Sequence, residues 1–353
     1  MTNIQKQWKK VEYTRNQIKK AGNTIRKECT PEERKKAEKI IDNWRAAHAY
    51  PLQVIYWYLK NMVPSDGSVL VAQRLKRLES IEEKLKREPN MSLLNIQDLG
   101  GCRLVFNSID DVYSYYNKYK NSRIRHKFIK ESDYIASPKK SGYRSLHAVY
   151  EYHSDTGIDY NNKMYIEIQF RTKLQHLWAT AVETMSLFKD INLKAGEGDE
   201  DIKRFFALVS SLFAIEENSP VVPETSNDIN VLTKEICDLD RKHNYLNFLT
   251  SIRVANKFEE DNSNTSDDGF CVLTLSYNET SNNNGSKLTV KRFKASDFIS
   301  AEIYYSNLEK KQLPNTDTVL VRVSKFSELR STYPNYFTDI SDFVYKVQRY
   351  IKA

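Results

Sequence analysis

The stretch MYIEIQFRT at residues 164–172 alternates without a break. Met164, Ile166, Ile168 and Phe170 fall on one side, and Tyr165, Glu167, Gln169 and Arg171 on the other. Alternation of period two marks a β-strand with one apolar and one polar face. A chain containing it needs a sheet with a core against one face, and Glu167 is then held rigidly on the polar side. A carboxylate fixed on a strand can bind a metal or act as a general base more accurately than one on a loop. A surface cross-strand ion pair would use the same position.

Around this strand the sequence reads as alternating helices and strands. Basic helices are predicted over 4–21 and 31–47, the second with Thr30 as N-cap and Pro31, Glu32 and Glu33 in its first turn. An apolar, aromatic run follows Pro51. The spacing of Leu75, Leu78, Ile81 and Leu85 predicts a helix over 69–87. A strand at 102–106, a helix at 110–121 and a loop at 130–146 come next. Strands at 147–153 and 163–170, split by a turn around Gly157, lead into helices at 173–189 and 200–216. Pro220 and Pro223 mark a boundary, and 226–258 reads as one long connecting helix. Beyond a polar loop at 260–268 lie strands at 270–277 and 287–293 around an Asn-rich turn, a helix at 296–311, a strand at 318–323 and two short helices around Pro334. The expected class is α+β: a mixed sheet flanked by helices over 1–222, a connecting helix and loop over 223–262, and a small α+β domain over 263–353.

Charge is unevenly placed. The 353 residues carry a net +8, and residues 1–39 hold 12 Lys and Arg against 5 Asp and Glu, a net +7. Such a segment suits a polyanion, with Lys9, Lys10, Lys19 and Lys20 as candidate RNA contacts, or else forms a solvated helix face. No run reaches the roughly 20 apolar residues of a membrane span, and the N-terminus has no secretory pattern, so a cytoplasmic protein with no membrane partner is expected. Cys29, Cys102, Cys237 and Cys271 are scattered without C-x-x-C spacing, which points to free thiols rather than zinc or disulfides.

Three further groups bear on chemistry. Arg74, Lys76, Ser80 and Lys84 form R-x-K-x3-S-x3-K, a basic stripe that fits a polyphosphate if it lies on one helix face. Asp98, in Q-D-L-G-G-C-R, sits just before a strand, where a metal-binding carboxylate or a turn-forming Asp is found, and Arg103 follows on that strand. The loop S-P-K-K-S-G-Y-R-S-L-H places Tyr143 among Lys139, Lys140, Arg144 and His147, an aromatic on a basic loop that could stack on a nucleobase. Hard carboxylates such as Asp98 and Glu167 suit Mg²⁺ completed by substrate phosphates.

In this order, over about residues 50–190, these four segments resemble the RelA/SpoT alarmone-synthetase family. The resemblance implies a nucleotidyltransferase-like mixed sheet and transfer of the β,γ-pyrophosphate of ATP to a 3′-hydroxyl, with release of AMP. Carried over residue by residue, it assigns Arg74, Lys76, Ser80, Lys84 and Arg103 to ATP. It assigns Asp98 and Glu167 to Mg²⁺, with Glu167 also activating the hydroxyl, and Tyr143, Lys139, His147 and Arg144 to the acceptor.

The sequence departs from that family at Ser132 and Ser141, where a lysine and an asparagine are usual, and no His-Asp pair marks a hydrolase domain. These departures weaken a free guanine nucleotide as acceptor. The whole arrangement resembles toxic small alarmone synthetases fused to their own antitoxin, of the CapRel type used in anti-phage defence. That resemblance implies the tRNA CCA end as acceptor and inhibition of translation. It further implies a C-terminal zinc-finger-like domain without zinc, whose Y-x-x-Y tyrosines, here Tyr333 and Tyr336, block the ATP site, and a phage capsid protein as trigger. Synthesis of a small alarmone such as (p)ppGpp or ppApp is the alternative.

Overall fold

The computed structural model describes residues 8–154, 163–189, 191, 193, 198–259, 268–277, 285–311, 313–323, 328–337 and 340–352. The turn around Gly157, most of the loop at 260–268 and most of the Asn-rich turn lie outside them.

Three helices, α1 (Arg15–Ile25), α2 (Pro31–Ala47) and α3 (Ala49–Met62), precede β1 (Leu70–Leu75) and α4 (Leu78–Arg87). A 3-10 turn (Leu93–Asn95) leads to β2 (Gly100–Phe106), α5 (Ile109–Lys120), β3 (Lys127–Asp133), β4 (Leu146–Glu151) and β5 (Tyr165–Thr172). Then come α6 (Lys173–Phe188), α7 (Glu200–Glu216), α8 (Ile229–His243), α9 (Tyr245–Ser251), β6 (Arg253–Glu259), β7 (Gly269–Tyr277) and β8 (Gly285–Lys294). The chain closes with α10 (Phe298–Lys310), β9 (Thr316–Val323), α11 (Leu329–Thr332), α12 (Pro334–Phe337) and α13 (Ser341–Lys352). The described strands make one mixed sheet in the order β3-β4-β5-β2-β1-β9-β7-β8-β6.

Local chemistry accounts for several element ends. Thr30 caps α2 in a reciprocal capping box with Glu33, and Pro31 opens the helix. Thr172 does the same for α6 with Gln175. In β5 the alternation holds: Ile166, Ile168 and Phe170 are fully buried against α3 and α5, each contributing about 1.5–3 kcal/mol.

Five expectations are corrected. Residues 69–87 are not one helix, because β1 occupies 70–75; Leu75 belongs to the strand and only Ile81 and Leu85 bury from α4. The first helix begins at Arg15, behind the Thr14 cap, rather than at residue 4. The loop at 130–146 starts inside β3, whose exposed, charged sequence hides it as an edge strand. The long helix at 226–258 breaks at Asn244, which takes a left-handed turn (φ 54°); the short helix α9 follows, and the end of the segment is the strand β6. Beyond the two short helices stands a third, α13.

The C-terminal strands extend the same sheet: β9 pairs antiparallel with β1 at Gln73↔Arg322 and Arg74↔Val321. The seam is polar. Arg322, 5% exposed, donates to Gln53 (3.0 Å) and pairs with Asp268 (2.9 Å). Across α2 and α10, buried Arg45 reaches Glu309 (2.6 Å) and Asp42 (3.0 Å), while Arg77 pairs with Asp317. Trp8 stacks on Phe298 (4.7 Å), tying the chain start to α10. At the other end Phe343, Val344 and Val347 of α13 pack into the core of α6–α9.

Candidate functional site

Strand register brings the site together. The rows Arg74–Gly101–Glu167 and Ala72–Arg103–Gln169–His147–Ser132 cross the sheet from β1 to β3. Register partners share a face, so Arg74, Arg103, Glu167, Gln169, Arg171 and His147 all project from one side. The apolar core fills the other side.

Asp98 sits between the 3-10 turn and β2. Lys76 is not on the helix with Lys84, as the sequence spacing suggested. It lies in the β1–α4 turn, where its N–H donates to the Leu99 carbonyl (2.9 Å). The two lysines meet at the carboxylate all the same: Lys76 Nζ is 2.8 Å from Asp98 Oδ2 and Lys84 Nζ 2.9 Å from Oδ1. Burial raises the proton affinity of Asp98, but the two ammonium groups outweigh it and hold the carboxyl far below its usual range. Ser80 shares α4 with Lys84 one turn earlier and is half-buried.

Glu167 is held differently. Its Oε1 accepts from His147 Nδ1 (3.0 Å) and its Oε2 from Gln169 Nε2 (2.7 Å). His147 Nε2 lies 2.7 Å from the Tyr143 hydroxyl, to which Arg171 Nη2 also donates (2.6 Å); the same Nη2 donates to Gln169 Oε1 (2.9 Å). These contacts close a ring: Glu167, His147, Tyr143, Arg171, Gln169. Burial opposes the charge of Glu167, yet His147 keeps its carboxyl depressed. Burial likewise opposes a charge on His147, while Tyr143 and Glu167 raise its affinity for a proton. Burial pushes the Tyr143 hydroxyl up, and Arg171 and His147 more than reverse it.

Tyr143 is seated by Gly142, which adopts φ 93° and whose Cβ, if present, would lie 2.8 Å from Trp178. The Gly142 carbonyl accepts from Ser210 Oγ of α7 (2.6 Å). Lys139 is exposed and holds its ammonium over Tyr134 (4.3 Å) and Tyr143 (5.5 Å). Arg144 does not face the acceptor side. It is 3% exposed and bound to Glu217 (2.5 Å) and Ser219 (2.6 Å), so it anchors the loop to α7.

Next to the two carboxylates is a pocket lined by Arg74, Gly101, Arg103, Gln169, Glu183, Tyr333 and Tyr336, among others. Burial, then Arg171, pulls the Arg103 guanidinium down to about 10 against the pull of Glu183. Its Nε has no hydrogen-bond partner among the described residues. Tyr333 and Tyr336 are 5% and 4% exposed, and the Tyr333 hydroxyl donates to the Gln73 carbonyl (2.7 Å). Lys10, Lys19 and Lys20 are exposed and Lys9 half-buried; Lys19 and Lys20 lie on α1, which packs beside α4, while Lys9 and Lys10 precede it, the Lys10 carbonyl accepting from Asn43 Nδ2 of α2 (2.9 Å). Gln169, Arg171 and Glu183 were not singled out from the sequence. For the first two the signal was there, since both share the polar face of β5 with Glu167.

Asp98 and Glu167 feel each other's charge. Two hard carboxylates beside lysines are the donor set Mg²⁺ takes when phosphates complete its shell. Among the described residues no group of three or more His, Cys, Asp or Glu converges, as a cage made wholly of protein would require. No described helix is long and apolar enough to cross a membrane.

The profile described as the region found in RelA / SpoT proteins matches residues 73–192. The chain is 30% identical over 137 residues to the GTP pyrophosphokinase YjbM of Bacillus subtilis (strain 168), covering 38% of this chain and 63% of that protein. It is 34% identical over 115 residues to the GTP pyrophosphokinase YwaC of the same organism, covering 30% and 52%. The chain thus spans 52% to 63% of the length of these curated relatives. The crystal structure of small alarmone synthetase 1 from Bacillus subtilis bound to its product pppGpp is similar at 23% identity, covering 50% of this chain and 94% of that one. The TM-score of that match is 0.44. Residues 73–192, in which the four motifs fall in order, thus match the RelA/SpoT profile, with GTP pyrophosphokinases among the curated relatives.

Proposed function

We propose that this chain is an ATP-dependent pyrophosphokinase whose acceptor is the 3′-hydroxyl of a tRNA CCA end, and that its C-terminal segment restrains it. The observation that carries the reaction class is the convergence of Asp98, Glu167, Lys76 and Lys84 on one face of the sheet beside Arg74 and Arg103. Arg74 and Arg103 would hold the adenine side of ATP, with Lys76, Ser80 and Lys84 on its phosphates. Asp98 and Glu167 would hold Mg²⁺, which when bound neutralises charge on the transferred group. The acceptor hydroxyl oxygen bonds to the β-phosphorus, and the bond from that phosphorus to the α,β-bridging oxygen breaks. AMP leaves with the electron pair, and the hydroxyl proton passes to Glu167. The lysines now on Asp98 would turn to the phosphates as the metal arrives, so loading exchanges one set of ion pairs for another.

The choice of an RNA end rests on charge. Of the acceptor-side cations named from the sequence, Arg144 is turned inward, while Lys139 and Lys140 are exposed, Lys140 beside Glu224 (2.5 Å). Opposite His147 stands Ser132 rather than a lysine. A 5′-triphosphate would find little to neutralise it there, whereas a terminal ribose asks for less, and the N-terminal lysines can hold the RNA backbone. The names of the relatives favour a second reading, a free guanine nucleotide as acceptor and a small alarmone as product. Restraint is supported by Tyr333 and Tyr336 lying in the pocket with Arg74 and Arg103, where an adenine would stack. A C-terminal zinc-finger-like antitoxin domain without zinc, toxin–antitoxin function in anti-phage defence, and a phage capsid protein as trigger complete this reading on the resemblance alone. The test is competition: with deacylated tRNA and GTP present together, label from γ-labelled ATP is expected on the tRNA. Label on GTP alone would move the assignment to a small-alarmone synthetase.

A further inference from the structure

Both oxygens of Glu167 are taken, one by His147 and one by Gln169. An acceptor hydroxyl that donates to Glu167 competes with them for its oxygens. Both donors lead back to the same residue. His147 reaches the Tyr143 hydroxyl directly, and Gln169 reaches it through Arg171, whose Nη2 donates to both Gln169 Oε1 and Tyr143 Oη. Arg171 is 4% exposed and its Nε also donates to Ser145 Oγ (3.3 Å), so its fork is fixed from behind.

We infer that Arg171 and Gln169 are positioning residues that couple recognition of the acceptor at Tyr143 to the release of Glu167. The inference deepens the proposed function and rests on it. When the Tyr143 ring turns to stack on an acceptor base, its hydroxyl leaves His147 and Arg171. His147 and Gln169 then lose their common anchor, and one oxygen of Glu167 opens to the hydroxyl. Until an acceptor is seated the ring stays closed, which keeps Glu167 from delivering water to bound ATP. Networks of this kind act as a unit, so removing a second member adds little once the first is gone.

The experiment is a double-mutant cycle in the full chain, run with and without Tyr333→Ala and Tyr336→Ala, using deacylated tRNA and GTP as acceptors. Tyr143→Phe keeps the stacking ring and removes only the hydroxyl; Arg171→Lys keeps the charge and removes the fork. Each is expected to raise acceptor-independent cleavage of ATP to AMP and pyrophosphate about tenfold with the acceptor KM within about twofold, and the pair together to raise it about tenfold rather than about a hundredfold. In ¹⁵N-histidine spectra Tyr143→Phe is expected to shift His147 Nε2, and Gln169→Met to shift His147 as well. Additive gains, or acceptor-independent cleavage no faster than in the parent chain, would overturn the coupling while leaving the pyrophosphokinase reading in place. If no variant, nor the parent chain, transfers label to either acceptor, the proposed function fails and the coupling falls with it. Unshifted histidine signals show that the ring does not exist in solution, whatever the activity.

Discussion

The two halves of the site are held by different forces. On the donor side Asp98 is bound by two full charges, and the guanidinium groups of Arg74 and Arg103 share a pocket with two tyrosines of the same chain. On the acceptor side Glu167 is bound by a closed ring of directional hydrogen bonds built largely on one strand. Ion pairs tolerate exchange, because an ammonium can swing from a carboxylate to a phosphate with little angular cost. Hydrogen-bonded rings are specific about geometry and fail as units. Under the proposed function, the donor side is suited to loading and unloading, and the acceptor side to checking what has arrived.

The largest expected effect comes from breaking the acceptor side at its centre. Glu167→Gln keeps the shape but removes the charge, and should lower kcat by about 10³-fold with the thermal transition little changed. Label transfer within a few-fold of the parent would remove Glu167 from the chemistry. Next is the donor side's own occupant. Replacing Tyr333 and Tyr336 by alanine should raise transfer by about a hundredfold, since a tethered inhibitor acts at an effective concentration on the order of millimolar. In cells that variant should arrest growth, and adding Glu167→Gln should restore it. A soluble, ATP-binding but harmless double alanine would show that the tyrosines only pack the sheet.

Smaller effects sharpen the contrast. Changing Lys9, Lys10, Lys19 and Lys20 to Glu should weaken tRNA modification about tenfold at moderate salt and leave ATP binding alone. A loss with GTP as acceptor would place these lysines in the catalytic half instead. The smallest effect is on stability. Asp98 has its proton affinity depressed by Lys76 and Lys84, so its contribution is present above the ordinary Asp range near pH 4 and is lost as pH falls below it. Asp98→Asn should lower the thermal midpoint by about 2–4 °C at pH 7, with a smaller gap at pH 3. A gap of the same size at both pH values would mean that the lysines do not depend on this carboxylate.

What could be read from the sequence follows the same division. The alternation of β5 placed Glu167 on a rigid polar face, and with it, unremarked, Gln169 and Arg171. Strands with one wet face announce their partners by period. The basic stripe was misread because Leu75, Leu78, Ile81 and Leu85 satisfy a helical period by coincidence across the β1–α4 turn. Lys76 still reaches Lys84, but through Asp98 and not along a helix. Arg144 looked like its neighbours Lys139 and Lys140, and only the distant Glu217 on α7 decides that it faces inward. The strands β3 and β6 were missed for a shared reason. Both lie at the edges of the sheet, where one side pairs with no described strand and the apolar pattern is weak. Nor could the sequence show that β9 would continue the sheet at Arg74, since the pairing joins residues about 250 apart in the chain.

Under the proposed function, Asp98 and Glu167 with their lysines move a pyrophosphoryl group rather than a single phosphoryl group. The most direct measurement is the nucleotide left behind when the Tyr333→Ala, Tyr336→Ala chain meets Mg²⁺, ATP and deacylated tRNA. One AMP should form for each pyrophosphate gained by the acceptor, and none with Glu167→Gln. Formation of ADP, or of AMP with free pyrophosphate and an unchanged acceptor, would contradict it.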